Sequence, residues 1–562
     1  MKRVVVVGLL LVASFAYAAS RPATRGPHAM VASQSALASQ IGVEVLRAGG
    51  NAVDAAVAVA FAMAVAFPEA GNIGGGGFML IYRADGSVTS IDYRETAPAA
   101  ATAEMYQSGQ RSSRLGHAAA GVPGTVAGLE YAWKRYGSGR LQWRRLIEPA
   151  IRLAERGVVV DAWLARVLAE EAAGLEKSSA AVDLFFSTGR PLREGERLVQ
   201  RQLGRTLRRI AKGGAREFYQ GESARRIAAE IQAHGGLITT ADLAAYHPIE
   251  RAPVRGRYRG TSIVSMSPPS SGGAIVIGIL QQLETFDLKS TTPGSSELWH
   301  LLIEAQRRGF ADRAELLGDP DFVAVPLEQL LSPNYSAARA ATIDRQRASR
   351  SEQVSSGVIP EPVAEPSDTT HFTIVDRDGN CVANTSTLND AFGAHVVLGE
   401  TGIVLNNQMD DFTTQPGQGN LYGLVQGTKN AIAPHKRPLS SMSPTLVLHP
   451  NGKLWFALGG RGGPKIISSV VQVIVNVIDF QMELQAALDA PRVYHQWLPD
   501  EVQFEPWGLN ADTRHVLEQR GHRFAAKPAS ILGRTTAVLI DPETGLRQGA
   551  VDSRGAGAAI GY

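Results

Sequence analysis

In Ser367-Asp368-Thr369-Thr370-His371-Phe372 a threonine stands where a linker meets a strand. The segment before it, Gly357 to Pro366, holds three prolines and two acids, a composition for exposed, extended chain that no sheet could hold centrally. After it, Thr370 to Val375 and Cys381 to Thr387 are short β-rich runs, and Asp376-Arg377-Asp378-Gly379 between them is hairpin chemistry. A threonine hydroxyl is a weak nucleophile until a base takes its proton, and a free α-amine on the same residue can serve. Such an amine titrates near ~7.7–8.0, so a useful fraction is unprotonated at neutral pH. Cutting the chain between Asp368 and Thr369 would create that amine. A Thr-rich strand start after a linker is also ordinary β sequence, so the residues on either side have to decide.

Polar groups accumulate in the loops of the last third. Asn406-Asn407-Gln408-Met409-Asp410-Asp411-Phe412 has five polar side chains in seven positions. Pro416 to Gly427 is glycine-rich around one aromatic, Tyr422, and has the makings of a mobile lid. Pro438-Leu439-Ser440-Ser441-Met442-Ser443-Pro444 leads into a strand at Thr445 to Leu448. Leu454 to Leu458 pairs with it across Asn451-Gly452, ends in Gly459-Gly460-Arg461-Gly462-Gly463-Pro464, and gives way to a helix at Ile466 to Asp479. Adjacent glycines after a strand expose successive N–H groups, which is what an oxyanion requires. Asp411 could hold an ammonium and Arg94 a carboxylate. Taken singly, each is also a turn, a loop or a bend; together they describe one pocket.

Elements upstream would supply the frame. Ser33 to Phe67 is predicted helical with a break at Gly49-Gly50-Asn51, and its second half is apolar on all sides but too short to span a bilayer, as in a buried helix. Gly71-Asn72-Ile73-Gly74-Gly75-Gly76-Gly77 permits close backbone approach; without a preceding strand or a following Lys-Ser/Thr it is not a phosphate cradle. Phe78 to Tyr82 and Val88 to Tyr93 form a strand pair that delivers Arg94. Leu141 to Tyr246 is mostly helical, Thr261 to Ser265 is a strand running into Pro268-Pro269-Ser270-Ser271-Gly272-Gly273, and long helices follow around Ile275 to Phe286 and Leu298 to Leu317.

Of 562 residues, 44% are hydrophobic and 19% charged, ordinary for a globular protein, and a net charge of +3 gives no reason to expect nucleic acid. Lys2-Arg3, the apolar run Val4 to Ala13 and Ala16-Tyr17-Ala18 have the three parts of a secretory signal cut after Ala18, which predicts a periplasmic or secreted protein without a stable membrane anchor. Cys381 is the single cysteine, so neither an internal disulfide nor a cysteine metal site is possible, and the histidines lack metal-binding spacing. No metal and no cofactor are expected.

With these motifs in order the chain resembles the γ-glutamyltransferases, or glutathione hydrolases, of the N-terminal-nucleophile hydrolase superfamily. The resemblance rests on Asn72 to Met79, Arg94-Glu95-Thr96-Ala97-Pro98, Gly121-Val122-Pro123-Gly124, Pro268 to Gly273, Asp368 to His371, Leu405 to Phe412 and Lys436 to Thr445. It implies an α+β, four-layer αββα fold made as one precursor: a signal at 1–18, a large chain at 19–368 and a small chain at 369–562, the last two in one globule. It implies Thr369 as nucleophile, first on Asp368 and then on substrate, with Thr387 bonding its hydroxyl and Gly462 and Gly463 as the oxyanion hole. Arg94, Ser440 and Ser441 would hold the substrate α-carboxylate, Asn389, Gln408 and Asp411 its α-ammonium, and Tyr422 the lid. The partners implied are γ-glutamyl donors such as glutathione, and water, amino acids or dipeptides as acceptors. Arg461 departs from the Gly-Ser-Pro of many bacterial relatives and is expected to put a cation near the mouth of the site. Two rivals remain open: a cephalosporin or glutaryl acylase on the same scaffold, and an exported binding protein without chemistry.

Overall fold

The computed structural model describes residues 20–354, 369–414, 419–424 and 426–562. The signal, Asp368 and the proline-rich segment before it lie outside the described residues.

The strand Thr369–Val375 organises the molecule. It pairs antiparallel with Cys381–Thr387, setting Thr369 opposite Thr387 and Val375 opposite Cys381, and all residues of both strands are buried. Burial on both faces explains why neither run alternates cleanly between apolar and polar. These two are central in a seven-stranded sheet ordered Ala558–Gly561, Met30–Ser33, Thr369–Val375, Cys381–Thr387, Gly76–Tyr82, Val88–Asp92, Ile249–Arg251. A second seven-stranded sheet runs Thr24–Gly26, Arg547–Val551, Arg534–Ile540, Leu454–Arg461, Thr445–Leu448, Thr261–Ser265, Val254–Tyr258.

Alternate side chains of the two sheets meet in a shared core: Met30, Ala32, Leu80, Val375 and Ala383 from one, Val264, Leu446, Ala457 and Val538 from the other. The opposite face of the first sheet, with Phe372, Ile374, Val382, Met79 and Ile81, packs on the helices Ala36–Arg47 and Ala52–Ala66. The outer face of the second, with Ile263, Val447, Phe456 and Leu458, packs on Gly272–Glu284, Ser296–Leu316 and Lys465–Ile478. These are the four layers, helix, sheet, sheet and helix, that the resemblance implied. A fully buried Phe or Ile in them stabilises the fold by about 1.5–3 kcal/mol.

Ala52–Ala66 has every residue from Ala52 to Val65 buried, as its all-round apolar composition predicts. A reciprocal cap starts it, with Asn51 accepting from the Asp54 amide and Asp54 from the Asn51 amide. The glycines after it serve backbone contact. An added Cβ on Gly74 would lie 2.2 Å from the Val404 carbonyl oxygen, and one on Gly75 2.2 Å from that of Thr387. One boundary differs from expectation: the strand from Leu454 continues through Gly459 and Gly460 to Arg461, paired in register with Arg534–Leu539. Gly459 fits there because the ring of His371 on the facing sheet would lie 2.3 Å from any Cβ. Among the described residues no helix is long and apolar enough to cross a membrane.

Candidate active site

Thr369 sits at the end of its strand with its side chain between the sheets, and its Oγ1 lies 3.2 Å from the Thr387 Oγ1 directly across the ladder. Thr387 Oγ1 also accepts from the Asn389 amide at 2.8 Å. Among the described residues no imidazole, carboxylate or amine side chain reaches the Thr369 hydroxyl. The nearest candidate by sequence, His371, is fully buried with its ring nitrogens on Thr385 Oγ1 (2.7 Å) and Thr373 Oγ1 (3.0 Å), and burial pushes it down to about 3. It is neutral at physiological pH and committed to its own partners. A base for Thr369 must come from elsewhere, and the α-amine that cleavage would free is the group within reach.

Thr369 lines a small cavity together with Thr387, Arg94, Asn389, Gln408, Asp411, Tyr422, Ser440, Ser441 and Gly463. Elements far apart in the chain deliver them. Arg94 follows the strand Val88–Asp92, and its backbone is held by Asp92 Oδ1 accepting from its amide (2.9 Å) and by Tyr246 and Arg437 donating to its carbonyl (2.9 and 2.5 Å). Ser440 is anchored by its amide on the Pro269 carbonyl (2.9 Å) and by the Ser271 amide on its own carbonyl (2.8 Å), so the loop Pro268–Gly273 is the shelf under the two serines. Gln408 and Asp411 occupy one 3-10 turn.

The charged groups are already in contact. Arg94 Nη2 donates to Asp411 Oδ2, and Gln408 Nε2 donates to the same oxygen at 2.6 Å. Burial raises the Asp411 carboxyl above its ordinary range against the pull of Arg94. About 20 Å3 of open space remains in the cavity, enough for one water and not for an amino acid. Separating the guanidinium from the carboxylate would present two opposite charges of the kind that an α-carboxylate and an α-ammonium require.

Tyr422 closes one side. Its hydroxyl donates to Asn389, with the side-chain and main-chain oxygens 2.7 and 2.6 Å away, and its ring covers Gly463, where a Cβ would lie 2.7 Å from it. Asp410 holds this segment by accepting from the Leu421 amide at 2.8 Å. Residues 415–418 and 425 of the expected lid lie outside the described residues.

Gly462 and Gly463 have φ of 125° and 55°, in the region that favours glycine. They lead through Pro464 into the helix Lys465–Ile478, whose N-terminal end favours negative charge. Neither amide donates to another described residue, which leaves two N–H groups for an oxyanion. Arg461 lines the cleft beside this cavity but is only 3% exposed, turned inward by its strand position onto Glu69 (3.8 Å) and Gln34 (3.1 Å) and stacked on Phe67.

Sequence reading missed Arg313 and did not assign Glu95. Arg313, on the helix Ser296–Leu316, lines the cavity, donates to Ser271 Oγ (3.0 Å) and Ser441 Oγ (3.2 Å), and has a buried Nη1 without a partner. Burial pushes it down to about 10, so it stays charged. Glu95 is fully buried behind Arg94, and burial lifts its carboxyl to about 7. Among the described residues no cluster of His, Cys, Asp and Glu could hold a metal.

A family profile described as Gamma-glutamyltranspeptidase matches residues 38–562. A relative named Glutathione hydrolase proenzyme, from Escherichia coli (strain K12), is 45% identical over 99% of this chain and 97% of its own length. The Acylase ACY 1 proenzyme of Pseudomonas sp. (strain SE83) is 38% identical over 93% and 91%. The crystal structure of cephalosporin acylase from Bacillus halodurans superposes with a TM-score of 0.86 at 29% identity, over 98% of each chain. Matched over nearly its whole length, the chain belongs to the gamma-glutamyltranspeptidase family.

Proposed function

We propose that this chain is the precursor of an exported γ-glutamyltransferase and glutathione hydrolase that cuts itself between Asp368 and Thr369. In the first reaction the Thr369 hydroxyl adds to the Asp368 carbonyl carbon, the peptide C–N bond breaks, and the acyl group passes to Oγ1 as an ester. Water hydrolyses the ester, leaving a carboxylate on Asp368 and a free α-amine on Thr369. In the mature enzyme that amine takes the Oγ1 proton as the hydroxyl attacks the γ-carbonyl of glutathione. Gly462 and Gly463 donate to the oxyanion, and each such donor is worth about 2.7–4 kcal/mol in the transition state. The intermediate collapses as the α-ammonium returns its proton to the departing cysteinylglycine amine. Water then releases glutamate, or the amine of an amino acid or peptide takes the acyl group. Arg94, Ser440 and Ser441 hold the substrate α-carboxylate, and Asn389, Gln408 and Asp411 its α-ammonium.

The observation that carries this reading is the single cavity lined by Thr369, Thr387, Arg94, Asn389, Gln408, Asp411, Ser440, Ser441 and Gly463. The signal-like N-terminus supports export. N-terminal sequencing of the purified chain after a denaturing gel tests self-cleavage: two bands are expected, the smaller beginning at Thr369, and Thr369→Ala is expected to stay whole. One uncut band from active material would defeat the mechanism, and one uncut band from inactive material would favour a binding protein.

The acylase reading keeps the nucleophile and changes the head group, and the named acylases among the relatives give it weight. It leaves the Asn389, Gln408 and Asp411 acceptors without an ammonium to receive. Turnover of γ-glutamyl and glutaryl anilides side by side distinguishes the two, and faster glutaryl release would select the acylase.

A further inference from the structure

A cleft of about 320 Å3, in the range of small-ligand sites, opens beside the cavity of Thr369. The two spaces share a wall: Asn389 and Gly463 line the inner cavity, while their chain neighbours Asp390 and Gly462 line the cleft. The inner cavity holds the groups that recognise the acyl head, so the group that leaves the carbonyl, or arrives at it, has the cleft on its side.

The cleft carries a concentration of guanidinium groups around one indole. Arg534 and Arg166 stack on the Trp163 ring, 3.6 and 4.0 Å from its centroid. Arg166 is half-exposed and approaches Glu170 at 3.5 Å. Arg534 is different. It has no carboxylate within 4 Å among the described residues, and its Nε is buried without a hydrogen-bond partner. Burial pushes it down to about 10, which leaves it charged at neutral pH. Its place is set by the strand register, where Arg534 opposes Arg461, and by Gly533, which packs against Gly462. A buried guanidinium with no carboxylate in direct contact, only the longer-range pull of Asp552, Glu69 and Glu170, is costly in the empty protein. Held over an indole, it is restricted in place as a planar fork for a carboxylate.

We propose that this cleft binds the terminal carboxylate of a short peptide on the leaving-group and acceptor side of the acyl bond, with Arg534 as its main partner and Arg166 as a second. The ligand class is a dipeptide or amino acid with its amine at the reacting carbonyl and a free carboxylate at the far end. Asp390 stands at the shared wall, where its carboxyl, lifted by burial to about 7, can accept from the incoming amine. This proposal rests on the γ-glutamyl reading of the inner cavity.

The test changes the ligand and the protein together. Glutamate release is measured from glutathione and from glutathione amidated at its C-terminus, in the wild type, Arg534→Gln and Arg166→Gln. The wild type is expected to favour the free carboxylate by about tenfold or more in kcat/KM, the size of a charge-assisted hydrogen bond. In Arg534→Gln the preference is expected to fall to within about twofold, and in Arg166→Gln to fall partway. A wild-type ratio near one, or a preference undiminished in the variants, overturns the proposal. Should Arg534→Gln fail to fold, the wild-type ratio and Arg166→Gln decide it. Turnover of L-γ-glutamyl-4-nitroanilide, whose leaving group has no carboxylate, reports separately on the γ-glutamyl reading. Its absence would remove that reading rather than the cleft.

Discussion

Asp411 is the side chain on which the γ-glutamyl and glutaryl readings divide. It neutralises Arg94 in the empty cavity, where Arg313 is a second guanidinium without a carboxylate of its own within 4 Å. Asp411→Ala therefore leaves Arg94 with the more distant Glu95 carboxyl (3.8 Å) as its acidic neighbour, beside the buried Arg313. Turnover of a γ-glutamyl anilide is expected to fall by about a hundredfold or more, since truncating one member of a buried, hydrogen-bonded charge pair costs about 2–5 kcal/mol. A glutaryl anilide, which has no ammonium to lose, is expected to suffer less. Equal losses on the two anilides would take Asp411 out of ammonium recognition. Arg313 acts through Ser441: by donating to the serine oxygen it leaves the hydroxyl proton free to point at a substrate carboxylate. Arg313→Gln is expected to raise KM for the γ-glutamyl anilide about tenfold with a smaller change in kcat, and Arg313→Lys to recover part of it. A change confined to kcat would contradict that role. The sequence pointed to Thr369, Thr387 and the head-group residues because they cluster in short polar motifs. Arg313 had no such signal, because it lies inside an ordinary helix and meets Ser441 only through packing across 128 residues. The burial of Arg461 was not legible for a related reason: its environment depends on which face of a strand it occupies, and that strand extends to Arg461 itself.

Gly71 to Gly77 shows how one element positions another. Asn72 donates from Nδ2 to the Thr387 carbonyl (3.0 Å), while its Oδ1 accepts from the Gly75 amide (2.9 Å) and the Thr125 hydroxyl (2.8 Å). The loop thus grips the end of the strand that carries Thr387, and Thr387 in turn faces the nucleophile. Gly75→Ala would force a methyl to 2.2 Å from that carbonyl oxygen. The backbone must shift, at a cost of about 1–3 kcal/mol for overpacking, and self-cleavage is expected to slow because Thr387 moves from Thr369. A densitometric time course of precursor disappearance checks this; an unchanged rate would separate the loop from the chemistry. The strand and helix pattern was readable in most places because β-branched runs, turns and caps are local signals. The glycines of Leu454–Arg461 were not read as strand, since glycine disfavours a strand interior, and the His371 ring that requires one at Gly459 comes from the other sheet. The four layers themselves came from family resemblance. Periodicity alone did not determine which faces meet.

Taken whole, the protein buries titratable groups of two opposing kinds, and their balance sets its stability against pH. Burial pushes His371 and His522 down to about 3 and His495 to about 4. Between those values and the unfolded value near ~6.5 the native state binds fewer protons than the unfolded chain, so stability falls as pH falls. Burial lifts Glu95 and Asp390 to about 7 and Asp312 to about 6. Over the window from about 4 to 7 the native state binds more protons through these three, so stability rises as pH falls. Each group contributes at most about 1.4 kcal/mol per pH unit inside its window. Between about pH 6.5 and 4.5 the two slopes oppose each other, with His117, also pushed down to about 4 by burial, on the side of the histidines. Below that the carboxyl contribution is complete, while the histidines continue to withdraw stability and Glu304, held at about 2 by Arg307 and Arg308 against its burial, begins to. The melting temperature is therefore expected to change less from pH 7 to about 5 than below about 4, where it drops steeply. His371→Asn, which can keep a hydrogen bond to Thr385 or Thr373 without a titrating ring, is expected to make the acid drop shallower. A wild-type curve that declines steadily from pH 7, or an acid limb equally steep in the variant, would show that burial of the ring between the sheets does not govern it.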